Sequence, residues 1–263
     1  STPRGAVAPT PIVYFVGTAG SGKSTLVEAY RAWAVLQGYD AVTLNLDPGA
    51  ETVPYEPDVD IRDWIRLSEI MDEYELGPNG AQIVAADLIA AHVTEVEKVL
   101  EGFETDFLLV DTPGQMELFT FRESSRVVIE AFGRQDGFLA YLSDPILVRS
   151  PSGLVSSLLL SATAQFRHSL PFLNILSKAD VLSEEDLRAV LKWSSDPYAL
   201  YDALVEEGGS PKQLLDIEFL KALETIGVYR RLTPVSSEIP YGIEDLYSGI
   251  QAVFAGGEDL EKR

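Results

Sequence analysis

The stretch PIVYFVGTAGSGKST, residues Pro11–Thr25, decides the fold of this chain. Its opening PIVYFVG is apolar, β-branched and aromatic and ends in Gly17, which is the pattern of a buried strand. The following GTAGSGKST matches G-x-x-x-x-G-K-[ST], and a helical pattern runs from Lys23 to Gln37. A strand, this loop and a helix in that order predict a P-loop, whose main-chain N–H groups surround phosphate oxygens.

The residues of this loop have separate expected roles in holding a nucleoside triphosphate. The glycines allow a tight turn, Lys23 places a cation on the β- and γ-phosphates, and Ser24 offers a hydroxyl to Mg²⁺. The motif alone does not choose between ATP and GTP. The predicted nucleotide-binding residues of the loop are Gly17, Ala19, Gly20, Ser21, Gly22, Lys23, Ser24 and Thr25.

Apolar strand patterns and helical patterns alternate along the rest of the chain. Further strands are predicted in Ala41–Asp47, Phe107–Asp111, Gly137–Asp144, Leu170–Asp180 and Arg231–Ser237. Further helices are predicted over Ile61–Glu75, Gly80–Glu101, Gln115–Phe132, Pro151–Arg167, Ser183–Trp193, Pro197–Glu207, Pro211–Ile226 and Gly242–Phe254. This alternation predicts an α/β P-loop NTPase, a mostly parallel sheet covered by helices on both faces, with helical insertions.

The chain is expected to form a single domain over residues 1–263, since no linker is long enough to divide it. Within that domain, residues 1–10 are expected to be flexible and residues 256–263 to form a tail. An insertion over residues 48–105 carries the breaker Gly77-Pro78-Asn79, and a second, helical insertion covers residues 145–169.

Composition excludes several classes of protein. Cysteine is absent, which excludes disulfides, a Cys nucleophile and thiolate metal sites. The 41 acidic and 20 basic residues give a net charge of −21, so bulk nucleic-acid binding and binding to anionic membranes are not expected. No secretory or membrane-spanning segment is recognised, so a cytoplasmic protein is expected. The acid-rich, Lys-poor composition fits a salty cytoplasm; an acidic mesophilic or thermophilic protein is the alternative.

Two further strand ends carry carboxylates that suit phosphate chemistry. Asp111, in FLLVDTPGQ, ends a strand and is expected to hold Mg²⁺ directly or through water. Gly114 offers an N–H to the γ-phosphate, and Gln115 is placed to orient a water. Asp47, in LNLDPGAE, is expected to position the attacking water or a magnesium-bound water; the alternative is a plain Asp-Pro turn.

The segment LSKAD, Leu176–Asp180, resembles the guanine-reading [NT]-K-x-D segment of GTPases. Asp180 is expected to accept hydrogen bonds from guanine N1 and the 2-amino group, which adenine cannot supply. The stem of Lys178 is expected to cover the base. The first position of this motif is Ser177 rather than Asn, so selectivity for guanine depends mainly on Asp180. In PVSSE, Ser236 is expected to lie in the loop behind the base.

Taken in order, these motifs resemble those of the GPN-loop GTPases. The deciding residues are Gly77-Pro78-Asn79, which lie between VGTAGSGKST and DTPGQMELF, with NLDPGAE and PYEPDVDIRDW (Pro54–Trp64) before them. The resemblance runs from about Ile12 to Phe254. The alternative for Gly77-Pro78-Asn79 is a turn that caps the next helix.

The resemblance implies a homodimeric, Mg²⁺-dependent GTPase that converts GTP to GDP and phosphate. It implies that the GPN loop of one subunit reaches the active site of the other, where the Asn79 amide contacts phosphate. Protein clients such as RNA polymerase or another assembly are implied as partners. The implied catalytic residues are Lys23, Asp47, Asn79 and Gln115, and the implied metal-binding residues are Ser24 and Asp111.

Two other classes of function fit the same motifs. A P-loop kinase would need an acceptor pocket and an Arg-rich lid, and the sequence shows no pattern for either. A nucleotide-gated scaffold or chaperone, in which hydrolysis is incidental, would share all of the nucleotide-binding residues.

Overall fold

One parallel sheet organises the molecule, described here from a computed structural model over residues 10–208, 211–229, 231–260 and 262. Within those residues, seven strands lie in the order β3-β2-β4-β1-β5-β6-β7, with every neighbouring pair parallel. The strands are β1 (Ile12–Gly17), β2 (Ala41–Asn45), β3 (Val59–Asp60), β4 (Phe107–Asp111), β5 (Gly137–Ser143), β6 (Phe172–Leu176) and β7 (Thr233–Pro234).

Helices lie between most successive strands of the sheet and after the last one. They are α1 (Lys23–Leu36), α2 (Leu67–Glu73), α3 (Pro78–Leu100), α4 (Glu117–Thr120), α5 (Glu123–Phe132), α6 (Pro145–Val148), α7 (Pro151–His168), α8 (Glu184–Ser195), α9 (Pro197–Glu207), α10 (Pro211–Thr225) and α11 (Ile243–Phe254). Short 3₁₀ turns cover Ile61–Asp63, Arg134–Asp136 and Ala179–Val181.

Each face of the sheet has its own hydrophobic core. Side chains of β1 alternate between them, because successive residues of a strand point to opposite faces. Tyr14 packs with α3 and α5 on one face, and Phe15 packs with α1 and α11 on the other. A third core joins α7, α8, α9 and α10 beside the sheet. The predicted α/β fold, with a parallel sheet covered on both faces, is confirmed.

Several elements differ from the predictions in their bounds or are absent from them. Strand β3 is absent from the prediction, because its two residues lie in a Pro- and Asp-rich stretch without a strand pattern. The helix predicted over Ile61–Glu75 is a 3₁₀ turn followed by α2, and the one predicted over Gln115–Phe132 breaks into α4 and α5. Helix α3 begins at Pro78 rather than Gly80, since proline suits the first helical position.

The predicted terminal segments lie only partly within the described residues, and the predicted helical insertion lies wholly within them. The expected flexible segment falls almost entirely on residues 1–9, which lie outside the described residues. Near the other end, Lys262 donates to the carbonyl of Gln37 and lies over the ring of Tyr39. The segment 145–169 contains α6 and α7. Among the described residues, no helix is both long and apolar enough to cross a bilayer.

Candidate active site

The loop between β1 and α1 lies at the carboxyl edge of the sheet, where ligands of open parallel α/β sheets bind. Gly20 and Gly22 have φ angles of 77° and 92°, which side chains disfavour. A Cβ on Gly17 would lie 2.6 Å from the carbonyl oxygen of Leu142. These glycines therefore allow the main chain to curl tightly against strand β5.

Lys23 is buried inside this loop, with 5% of its surface exposed. Its Nζ donates to the carbonyl oxygens of Gly17 at 2.9 Å, Thr18 at 3.0 Å and Gly114 at 2.7 Å. Burial lowers the pKa of Lys23 to about 8, and nearby Asp111 opposes that shift. All three ammonium donors are therefore occupied within the chain, and a phosphate must replace at least one acceptor.

Asp111 ends strand β4 and is 2% exposed. The hydroxyl of Tyr55 donates to Oδ2 of its carboxylate at 2.8 Å, and the hydroxyl of Ser24 lies near enough to favour the charged form of this carboxyl. Burial raises the pKa of Asp111 to about 6, and both hydroxyl groups oppose the shift. A hydroxyl and a carboxylate side by side are oxygen ligands of the kind that Mg²⁺ takes, so Ser24 and Asp111 fit a magnesium ion.

Asp47 joins the loops that follow β2 and β4. Its Oδ1 accepts from the N–H of Gly49 at 2.9 Å, and its Oδ2 accepts from the N–H of Gly114 at 2.8 Å. Burial raises the pKa of Asp47, and these two main-chain N–H groups oppose the shift. Gly114 is thus held from both sides, through its N–H by Asp47 and through its carbonyl by Lys23.

A cleft of about 510 Å³ opens beside these loops, and it is lined by both Asn79 and Gln115. Both side chains are exposed, as are Gly77 and Pro78. Gly77 is the N-terminal cap residue of α3, so Pro78 and Asn79 belong to its first turn. The remaining lining residues, which complete what we call the Asn79–Gln115 cleft, are Gln82, Ile83, Glu117, Leu118, Phe121 and Arg122.

The two segments predicted to read the base meet at the ends of β6 and β7. The Nζ of Lys178 donates to the carbonyl of Gly20 at 2.7 Å, which places the Lys178 stem against the phosphate loop. Ala179 donates to the carbonyl of Val235, which joins the segments. Asp180 is partly exposed, and the buried hydroxyl of Ser236 accepts from the N–H of Ile239 within its own turn.

The sequence carries no local signal for how the side chains of several residues meet at this site. Asn45 donates to Asp60, and Asp60 also binds Arg62. Arg62 donates in turn to the carbonyls of Ala50 and Glu51, in the loop after Asp47. These contacts connect residues of an irregular stretch, where neither helical nor strand periodicity indicates which side chain turns inward.

A parallel sheet with this loop, Lys23 and two strand-end carboxylates at its carboxyl edge defines a P-loop NTPase. A family model described as "Conserved hypothetical ATP binding protein" matches residues 15–256. The chain is 31% identical over 228 residues to GPN-loop GTPase 1 of Dictyostelium discoideum, covering 82% of this chain and 56% of the relative. It is 30% identical over 256 residues to GPN-loop GTPase 3 of Kluyveromyces lactis, covering 95% of this chain and 94% of the relative.

A solved structure is similar over nearly the whole fold. The crystal structure of PAB0955, a GTPase in apo form from Pyrococcus abyssi, has a TM-score of 0.83 and 30% identity, with 93% of this chain and 98% of that chain covered. The chain spans about half the length of GPN-loop GTPase 1 and nearly all of GPN-loop GTPase 3. The chain belongs to the GPN-loop GTPase family.

Proposed function

We propose that this protein is a Mg²⁺-dependent GTPase that acts as a homodimeric nucleotide switch. One observation carries the proposal: Gly114 accepts a hydrogen bond from Lys23 and donates one to Asp47 at the carboxyl edge of the sheet. Burial lowers the pKa of Lys23, and the charge of the nearby Asp111 opposes that shift. The names of its relatives support hydrolysis of GTP.

The choice of guanine rests on Asp180. Asp180 is partly exposed and follows Lys178 by two residues, and the Nζ of Lys178 contacts the phosphate loop at Gly20. Guanine N1–H and the 2-amino group are donors that match a carboxylate, whereas adenine leaves the carboxylate without donors. GTP is therefore the expected substrate, and ATP is expected to bind much more weakly.

Binding of the γ-phosphate exchanges the bonds that hold Gly114. The ammonium of Lys23 turns from the carbonyl of Gly114 to phosphate oxygens, and the N–H of Gly114 turns from Asp47 to the γ-phosphate. Asp47 then has a free carboxylate oxygen at the reacting phosphate. The nucleotide thus prepares the group that positions the attacking water.

Hydrolysis follows from charge neutralisation and from the placement of one water molecule. Mg²⁺, held by Ser24 and Asp111, would neutralise charge on the phosphates. The loop N–H groups and Lys23 stabilise the charge that develops on the transferred group. Asp47 and Gln115 orient the water for in-line attack, which releases phosphate and GDP.

The second subunit supplies the remaining contact. Gly77, Pro78 and Asn79 are exposed at the start of α3, and Ile83 and Phe121 in the same cleft are 45% and 46% exposed. Burial of these apolar side chains by another copy would bring the Asn79 amide to the partner's phosphates. Release of the γ-phosphate would then change the dimer, and with it the surface offered to a protein client.

The test is a comparison of GTP with ATP, for affinity and for hydrolysis, across a range of protein concentration with Mg²⁺ present. We expect a preference for GTP of at least about 100-fold and a turnover per subunit that rises with protein concentration. Asp180→Asn should favour xanthosine triphosphate, whose C2 oxygen accepts where guanine donates. No binding of GTP would contradict the whole proposal, and turnover independent of concentration would contradict the dimeric site.

A further inference from the structure

Tyr55 is buried against the candidate magnesium site although it comes from an irregular segment. It is 8% exposed, and its hydroxyl donates to Oδ2 of Asp111 at 2.8 Å. The hydroxyl of Ser24, at the start of α1, lies near the same carboxylate and favours its charged form. Tyr55 therefore supplies a hydrogen-bond donor to this carboxylate from a part of the chain 56 residues away.

The segment Pro54–Asp60, which carries Tyr55, is fixed at its far end. Asp58 accepts from the N–H of Thr43 at 2.8 Å and from its hydroxyl at 3.0 Å, and it pairs with Arg31 at 3.4 Å. Strand β3 then pairs with β2, through Leu44 and Val59. These contacts hold the segment against β2 and α1, so the Tyr55 ring has a defined position.

A carboxylate oxygen has two lone pairs, and one donor fixes its orientation without blocking the other lone pair. A buried carboxylate also needs donors in order to remain charged beside a cation. The Tyr55 hydroxyl meets both needs through its bond to Oδ2. A phenylalanine would keep the ring and its packing but would lose this donor.

We propose that Tyr55 is a positioning residue of the magnesium site, which holds Asp111 in the orientation that binds the ion with the triphosphate. The proposal rests on the proposed function, because it assumes that Mg²⁺ binds with a guanine nucleotide. It also places the Pro54–Asp60 segment beside the magnesium site. Binding of Mg²⁺ is then coupled to the position of the loop after Asp47.

The test measures metal binding directly rather than turnover. A fluorescent, slowly hydrolysed GTP analogue is bound to wild type and to Tyr55→Phe in EDTA, and Mg²⁺ is then titrated. We expect equal affinity in EDTA and a half-saturating Mg²⁺ concentration about 10-fold higher in the variant, as is common when an outer-shell partner of a metal ligand is lost. An unchanged Mg²⁺ titration would overturn the proposal.

Tyr30→Phe is the matched control. Tyr30 is fully buried in α1, and within the described part of the chain its hydroxyl has no hydrogen-bond partner. The same chemical change there should leave the Mg²⁺ titration as in wild type. The proposal is overturned if Tyr55→Phe binds the GTP analogue more weakly in EDTA. It is also overturned if the variant has a lower melting temperature but no specific change in Mg²⁺ binding. Either result would give Tyr55 a merely structural role.

A double mutant separates the two proposals. In an Asp111→Asn background, Tyr55→Phe should change the Mg²⁺ titration no further, because its effect passes through the carboxylate. A further rise of about 10-fold in the half-saturating Mg²⁺ concentration of the double mutant would contradict a role of Tyr55 that acts through Asp111. If wild type itself binds no GTP analogue, or binds it without regard to Mg²⁺, the proposed function has failed.

Discussion

At the scale of single residues, buried charges account for most of the candidate chemistry. Lys23 and Asp47 both bond to Gly114, and Asp111 interacts with Lys23 and Asp47 through its charge. Burial shifts the pKa of each of the three groups in the direction that favours its neutral form, and the attraction between Lys23 and the two carboxylates opposes these shifts. A charged ligand can therefore replace some of these interactions.

Asp47→Asn tests that exchange. An amide offers one acceptor oxygen where the carboxylate offers two, so it cannot hold Gly49 and Gly114 together or place water as well. We expect single-turnover GTP hydrolysis to fall by about 100-fold, while the affinity for GDP changes little. Asp63→Asn, an exposed substitution in the nearby 3₁₀ turn, is the control. Equal loss of GDP affinity and hydrolysis would argue against a role in positioning water.

We expect His168 to make the free energy of unfolding depend on pH. It is 2% exposed, and burial, together with Arg167 and Arg134, lowers its pKa to about 4. The folded protein therefore favours the neutral ring, and unfolding takes up a proton as pH falls from 6.5 towards 4. Over that window the free energy of unfolding should fall by about 3 kcal/mol more in wild type than in His168→Gln.

The measurement is urea unfolding of wild type and His168→Gln at several pH values. His92→Gln, which removes the other histidine of the chain, is the control. Parallel pH dependence in wild type and His168→Gln would show that His168 does not carry this effect.

At the scale of elements, the start of α3 combines a structural role with an expected catalytic one. Gly77 caps the helix and Pro78 occupies its first turn, which leaves Asn79 exposed at the Asn79–Gln115 cleft. The cap supplies no side-chain hydrogen bond to the helix. Asn79 lies inside the first turn of α3, so its side chain does not occupy the cap position.

Asn79→Ala should lower GTP turnover by about 100-fold, because one neutral donor at the phosphates is lost. Nucleotide affinity should stay nearly the same, since the contact is expected to form with the transition state. Glu95→Ala, exposed later on the same helix, should behave as wild type. Turnover that is unchanged in Asn79→Ala would remove the loop from the mechanism.

The junction of α6 and α7 depends on a glycine. A Cβ on Gly153 would lie 1.8 Å from the carbonyl oxygen of Leu147, and Ser150 caps α7 by accepting from the N–H of Gly153. Gly153→Ala should lower the free energy of unfolding by at least about 2 kcal/mol. Gly249→Ala, where the nearest atom would lie 3.5 Å away, should raise it by about 0.5 kcal/mol. Equal free energies of unfolding for Gly153→Ala and Gly249→Ala would contradict the close approach of Gly153 to the carbonyl of Leu147.

At the scale of the whole molecule, net charge is the unusual feature. A charge of −21 on 263 residues makes the compact state repel itself, and salt screens that repulsion. The Debye length falls from about 10 Å at 0.1 M salt to about 3 Å at 1 M. Stability should therefore rise with KCl.

Urea unfolding at low and high KCl measures this effect without adding a charged denaturant. We expect a higher midpoint at 2 M than at 0.1 M KCl, by an amount well outside error. Sucrose at matched osmolality controls for general exclusion of solutes from the surface. Equal midpoints at both salt concentrations would contradict adaptation of this protein to high salt.

Local patterns were sufficient to predict much of this protein. The apolar strands, the phosphate loop and the strand-end residues Asp47 and Asp111 are short-range signals, because strand periodicity and turn chemistry act over a few residues. Parallel strands then bring their carboxyl ends to one edge, so the approximate location of the site also follows from the sequence.

Tertiary structure alone decided how those residues meet. The bonds from Asp47 to Gly114 and from Tyr55 to Asp111 join residues 67 and 56 positions apart. The inward turn of Tyr55 and the pairing of β3 arise in a stretch with no period of its own. Such contacts depend on the packing of segments that are distant in the chain, and no local propensity specifies them.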